Sequence, residues 1–274
     1  MAEVLTDRSM ASMVHAIEAN LFSFFPLLAR WPRAQAHDEP DLLWTLSDVP
    51  YPLFNSVGRA RLARDRVVEA IDLAIDRCRA RGVPLLWWTG PATAPADLEA
   101  RLASRGFFID QSVGMALRLD ARPAGEAGPR GLEVEEVQTA DGLAEWVRVL
   151  CDGFGAPEPF GRAFADMAAT IGLGEASPFR HYLGRLAGEP VATCSVLLGG
   201  GVAGLYNVST RPAWRRRGIG AAVTRAGVTA ARDQGYRLAI LHASELGAGV
   251  YRSIGFRALC RIGQCVWVPE ESRE

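Results

Sequence analysis

The chain has 274 residues, 49% of them hydrophobic, enough to bury one large or two ordinary cores. Its 30 basic and 31 acidic residues leave a net charge of −1, so the overall electrostatics favour neither nucleic acid nor an anionic membrane as partner. Every basic residue is arginine, which excludes lysine Schiff-base chemistry and the GxxxxGK[ST] phosphate loop.

Cys78, Cys151, Cys194, Cys260 and Cys265 are odd in number and irregularly spaced, and His15, His37, His181 and His242 are equally scattered. Neither a disulfide framework nor a metal site is expected, and a reduced, cytoplasmic setting is the simplest expectation. Glu3 and Asp7 interrupt the first residues in a way unlike a signal peptide. No window reaches the roughly 18 consecutive apolar residues of a membrane span.

In chain order, Ser9 to Phe25 repeats apolar residues at helical spacing with Ser9 as N-cap, and Pro26 should end or kink that helix. Leu42–Leu46 and Leu53–Val57 read as strands, and Arg64–Arg81 as an amphipathic helix closed by Gly82. Val83–Trp88 reads as a buried strand, Pro95–Ser104 as a helix with proline in its first turn, and Phe107–Leu119 as a further strand. The Pro- and Gly-rich stretch between Asp120 and Gly131 packs poorly and reads as a linker. This predicts domains 1–122 and 132–274 joined by 123–131.

Beyond the linker come a strand at Leu132–Val137 and helices near Ala140–Cys151 and Pro159–Thr170. Arg180–Leu186 and Val191–Leu198 flank a hairpin signal at Ala187-Gly188-Glu189-Pro190. The strand Val202–Thr210 then runs through Pro212 and the arginines 215–217 into a helix that starts at Gly218-Ile219-Gly220 and ends near Arg232. Glycines at a helix start let the backbone approach an anion, and successive N–H groups point at it with the dipole behind them. Leu238–His242 reads as a strand, Tyr251–Phe256 closes a short helix, and Phe256–Val268 reads as a final strand pair.

A faint repeat joins the halves: Gly82–Trp87 through Leu102–Phe107 lines up with Gly235–Ile240 through Tyr251–Phe256. The first copy lacks the second glycine of the loop, at Asn55–Arg61, and has Leu102 where the second has Tyr251.

Arg215-x-x-Gly218-x-Gly220 after a strand ending Val208-Ser209-Thr210, with Tyr251 four residues before Gly255-Phe256, resembles the GNAT superfamily of N-acetyltransferases. The resemblance covers about Leu132 to Val268, and the first half resembles a degenerate GNAT repeat, as in tandem-GNAT proteins. It implies an α/β (α+β) fold of two GNAT-like lobes, each a mixed, mostly antiparallel sheet flanked by helices. It further implies acetyl-CoA as cosubstrate and direct acetyl transfer to a primary amine.

By that resemblance Val208 and Thr210 would bond the pantetheine arm, with the N–H near Val208 polarising the acetyl carbonyl. Ser209 lies between them. Backbone N–H groups from Arg216 to Ala221, Ile219 included, would hold the pyrophosphate, and Arg215, Arg216 and Arg217 would attract the nucleotide phosphates. Ser244 would touch the pantetheine arm. Tyr251 would be the general acid toward the departing thiolate, although the same tyrosine could simply pack its helix.

Many GNAT enzymes carry a glutamate where this chain has Tyr206 and Asn207. Glu245 or His242 is the candidate base, or the amine loses its proton to solvent. A small-molecule amine is the leading acceptor, ahead of peptide or protein amines, and the protein is expected to be a monomer or homodimer. Asp152, Glu158, Asp166 and Glu175 could draw a cationic acceptor, and the Trp31, Trp44, Trp87 and Trp88 region could wall it. The alternative is a catalytically idle acyl-CoA-binding sensor or scaffold.

Overall fold

The computed structural model describes residues 4–7, 9–120 and 128–269. The first half of the chain forms α1 (Met10–Phe22), α2 (Phe25–Leu28), β1 (Gln35–Asp38), β2 (Leu43–Leu46), β3 (Ser56–Gly58), α3 (Val67–Arg79), β4 (Leu85–Thr89), α4 (Leu98–Ala103) and β5 (Phe108–Arg118). The second half forms β6 (Leu132–Glu136), α5 (Ala140–Phe154), α6 (Glu158–Ile171), β7 (Phe179–Leu186), β8 (Glu189–Gly199), β9 (Val202–Thr210), α7 (Ile219–Asp233), β10 (Leu238–Ala243), α8 (Ala248–Ile254) and β11 (Arg257–Trp267). Apart from β6, the same order of two helices, three strands, helix, strand, helix and strand occurs in both halves.

Local chemistry sets most boundaries. The Ser9 hydroxyl accepts the Ser12 amide at 3.2 Å and starts α1 as an N-cap, and Thr139 does the same for Gly142 at 3.1 Å in α5. Three readings need correction. Gln35–Asp38 forms β1, a mostly exposed polar strand whose apolar alternation is too weak to mark it. The stretch expected as a strand from Leu53 is a 3-10 turn at Pro52–Phe54 followed by the three-residue β3. The expected C-terminal strand pair is one strand, β11, with an unbroken register from Gly263 to Trp267 against β4.

The chain forms two compact units that do not follow sequence order: Met1–Leu21 with Val113–Leu259, and Phe22–Ser112 with Cys260–Glu274. The expected linker falls largely on residues 121–127, outside the described residues. The expected boundaries differ from these units because the last strand of each half pairs with the other half's strand. Val113–Arg118 of β5 runs antiparallel to β10, and Gly263–Trp267 of β11 runs antiparallel to β4. The N-terminal segment also joins the unit of the second half, where the Leu5 amide donates to Gly201 O at 2.9 Å.

In that unit the strand order is β5-β10-β9-β8-β7-β6, with only β9 and β10 parallel. Its core gathers Met115, Val196, Leu205, Val223, Leu241 and Phe256. The Asn20 side chain of α1 donates to Leu197 O at 3.0 Å and Gly199 O at 2.8 Å. Met10–Leu28 has the length and hydropathy of a membrane-crossing helix, contrary to the expectation of none, but Ala16, Ile17 and Leu21 are buried within the protein.

The other unit has the order β1-β2-β3-β4-β11, with only β3 and β4 parallel. Trp31, Trp44, Trp87 and Trp88 are buried there, Trp44 and Trp87 within the core that α3 covers, so packing accounts for these tryptophans. Beyond β3, Ala94 N–H donates to Ala60 O at 2.9 Å and Leu62 N–H to Ala94 O at 3.0 Å. The loops after β3 and β4 are thereby stitched together.

Candidate active site

The second-half unit does the opposite at the matching place. β9 and β10 pair only from Ala203↔Ala239 to Leu205↔Leu241, while β10 stays with β5 as far as Ala243↔Val113. β9 continues to Thr210 without β10 beside it. The parting strands open a cleft of about 380 Å³ lined by Val208, Ser209, Thr210, Arg215, Gly220 and Tyr251, together with Gly153, Phe154, Gly247 and Val250. An edge of main chain that has lost its ladder partner presents free hydrogen-bonding groups to whatever enters.

β9 also bulges. Thr193 faces Ser209 but Ser195 faces Tyr206, so Asn207 and Val208 together stand opposite Cys194. Asn207 takes a left-handed φ of 52° there, a conformation asparagine tolerates better than most residues. The bulge turns the strand just where it reaches the cleft.

At the mouth, α7 begins after Gly218, which has a φ of 76°. The first intrahelical bond runs from the Ala222 amide to Gly218 O at 3.0 Å, so the amides of residues 219–221 are the helix-start donors that have no intrahelical acceptor. Ile219 is itself buried in the core and anchors that end. The arginines divide their work. Arg215 donates to Thr210 O at 3.1 Å and Gly153 O at 2.6 Å, bracing the loop, and Arg217 lies 5.0 Å over the Trp214 ring. Arg216 is exposed with a φ of 59°. Arg216, Arg217, Gly218, Ile219 and Ala221 are not among the cleft-lining residues.

Tyr251 projects from α8 into the cleft lining, its ring edge-on to Phe256 at 6.1 Å. Burial pushes its phenol well above the usual range, and the Cys194 thiol adds to the rise. It is therefore neutral and a proton donor at physiological pH. Ser209 Oγ is buried under α5 with no partner among the described residues, so this residue offers the cleft its backbone rather than its hydroxyl.

The candidates for a base are placed elsewhere. Glu245 and Ser244 lie in the exposed turn after β10 and do not line the cleft; Ser244 Oγ instead accepts the Gly247 amide at 3.1 Å. His242 is half-buried, edge-on to Tyr206 at 5.8 Å, and desolvation pushes its pKa down to about 4, outweighing its bond to the Ile17 backbone. Tyr206 is half-buried, its pKa raised by desolvation, and its hydroxyl donates to Asn20 Oδ1 at 2.9 Å. Asp152 pairs with Arg211 at 3.0 Å, and Glu158 pairs with Arg162. Among the described residues, no aspartate, glutamate or histidine lines the cleft.

Phe154, Val250 and Gly247 line the cleft without having been singled out in the sequence. Phe154 is 58% exposed and Val250 43% exposed, unusual for large apolar groups at helix positions. An apolar residue just before a helix-ending glycine, as in Phe154-Gly155, was the available signal for the first of them.

A parallel pair that splays open, a bulged strand, a glycine-started helix and a tyrosine across the gap form the candidate site. Residues 177–258 match the family model for the acetyltransferase (GNAT) domain. Among solved structures the chain is similar to a GCN5-related N-acetyltransferase from Kribbella flavida, at 20% identity over 90% of this chain and 95% of that one, with a TM-score of 0.69. A GCN5-related N-acetyltransferase from Sphaerobacter thermophilus shares 16% identity over 98% and 95%, with a TM-score of 0.62. A tandem GNAT protein from the clavulanic acid biosynthesis pathway shares 14% identity over 97% and 96%, with a TM-score of 0.57. At these identities the likeness is one of fold. No curated protein matches the chain.

Proposed function

We propose that the protein transfers an acetyl group from acetyl-CoA directly to a primary amine, with a small molecule as acceptor. The observation that carries this is the cleft itself, which sets the Val208 backbone and the neutral Tyr251 phenol on one lining. The pantetheine arm lies along the β9 edge from Val208 to Thr210, and the α7 amides hold the pyrophosphate. The amine nitrogen attacks the thioester carbonyl, and the Val208 N–H stabilises the oxyanion as it forms. The C–S bond then breaks, and Tyr251 hydrogen-bonds or protonates the coenzyme A sulfur. With no carboxylate or imidazole among the described residues of the cleft lining to accept it, the amine proton leaves to solvent.

That same gap favours one second reading, an acyl-CoA-binding sensor that does not turn over. Under either reading the first half is a degenerate copy of the domain, its β3/β4 gap stitched shut at Ala60, Leu62 and Ala94. Titration calorimetry with acetyl-CoA, followed by thiol release over a panel of small amines, polyamines and peptides, tests both. Binding with acetyl transfer to a small amine is expected. Binding without release on any acceptor would establish the sensor, and no binding would reject both.

A further inference from the structure

Resting on the acetyl-CoA reading of the cleft, we propose that His181, Ser195 and Asn207 are positioning residues, a hydrogen-bonded relay across β7, β8 and β9 that holds the Val208 peptide in place for the thioester carbonyl.

The relay ends on the bulge. Asn207 is the residue with the left-handed φ of 52°, and Val208, next in the chain, lines the cleft. A bulge of this kind leaves two residues opposite one and has lost part of its ladder, so something else must fix it. Here the Asn207 carbonyl accepts the Thr193 hydroxyl at 2.7 Å, and its Nδ2 donates to Ser195 Oγ at 3.1 Å. Ser195 Oγ in turn lies 2.9 Å from His181 Nδ1. Three adjacent strands are thereby linked by side chains at the level where β9 leaves β10.

His181 is the informative member. It is 1% exposed, with the rings of Trp146, Phe179 and Phe164 at 4.6, 4.6 and 5.8 Å. Its Nε2 has no hydrogen-bond partner among the described residues. An unsatisfied buried nitrogen costs about 1–3 kcal/mol, and a phenyl ring would fill an aromatic slot without that cost. Burial also holds the ring neutral, with its pKa pushed down to about 3, so it serves as neither a base nor a charge. What imidazole adds in this slot is the bond to Ser195. The one bond the imidazole makes among the described residues leads to Ser195, then to Asn207 and the cleft.

The test uses the full chain and three variants, His181→Phe, Ser195→Ala and Asn207→Gly, the last keeping the backbone conformation while removing the side chain. Melting temperature reports folding, calorimetry reports coenzyme A affinity, and the infrared band of bound acetyl-CoA labelled at the thioester carbonyl reports polarisation at Val208. His181→Phe is expected to melt no lower than the parent and to bind coenzyme A within about threefold, a change of roughly 0.6 kcal/mol. Its carbonyl band should move back toward that of free acetyl-CoA. Acetyl transfer should fall about tenfold in kcat, and in the Ser195→Ala/Asn207→Gly double variant no further than in the worse single variant. Folded variants with the parent's carbonyl band, or losses that add in the double variant, would overturn the relay. A parent that binds coenzyme A but shows no shifted band removes Val208 as the polarising group. A parent that binds neither ligand removes the acetyl-CoA reading itself.

Discussion

Tyr251 lines the cleft half-buried, and its raised pKa makes it a hydrogen-bond donor that stays protonated throughout the neutral range. Replacing it with phenylalanine removes one hydroxyl and leaves the ring that meets Phe256. Tyr251→Phe is expected to lower kcat by about 10²-fold, as for loss of a general acid, while acetyl-CoA affinity by calorimetry stays within about threefold. Turnover equal to the parent's at saturating acetyl-CoA would sink the role. Glu245, outside the cleft lining, is expected to tolerate glutamine with kcat within about twofold. A large loss in that variant would place a base where the cleft has none. The sequence marked Tyr251 by its distance from Gly255-Phe256, because that spacing is local. It marked Asn207 only as the place of a missing glutamate and did not link it to Ser195 and His181, 12 and 14 residues apart in turn, which meet only through strand register.

At the scale of elements, close approaches decide where helices dock. A Cβ added at Gly204 would lie 1.9 Å from Asn20 Oδ1, and one at Gly153 would lie 1.7 Å from Ser209 Oγ. Gly204→Ala should therefore push α1 off β9 and cost about 1–3 kcal/mol, read as a lower melting temperature. Gly153→Ala displaces the end of α5 from Ser209 and from Arg215, which donates to Gly153 O. Its expected signature is weaker acetyl-CoA binding with a smaller drop in melting temperature; the reverse pattern would mean that α5 does not shape the cleft. The bulge in β9 belongs to this scale too. Nothing in Tyr206-Asn207-Val208 spells a register shift, since the strand pattern reads straight through it, and only pairing to β8 exposes the extra residue.

At the scale of the whole molecule, pH and chain connectivity carry the predictions. His181 is buried and His242 half-buried, with pKa values pushed down by desolvation to about 3 and about 4. Depressed folded-state values mean the unfolded chain binds more protons below its ordinary histidine pKa of about 6.5. The stability these rings provide is thus complete above pH about 7 and falls as pH drops toward 4, by up to about 1.4 kcal/mol per pH unit for each ring. Chemical denaturation at pH 7, 6 and 5 should show that slope, and His181→Phe should flatten it; an unchanged slope would mean that His181 charges freely in the folded protein.

Connectivity predicts as much. Residues 132–274 alone lack α1 and β5, which leaves the β5 side of β10 bare and Gly204 uncovered. That fragment should fail to give a cooperative melt by circular dichroism, and co-expression with residues 1–131 should restore it. A folded, cooperative 132–274 fragment would refute the dependence.

What the sequence determined by itself was the set of elements, the glycine-started helix after β9, the tyrosine near Gly255-Phe256 and hence the GNAT acetyltransferase domain. Each is written in residues close together in the chain, where periodicity, caps and turns act. Only the tertiary structure decided which strands pair across the halves, where β9 parts from β10, and that among the described residues no carboxylate or imidazole lines the cleft. It also decided that Arg215 braces a loop. These depend on backbone hydrogen bonds and close contacts between residues tens to hundreds of positions apart, and a one-dimensional pattern carries no register between distant strands.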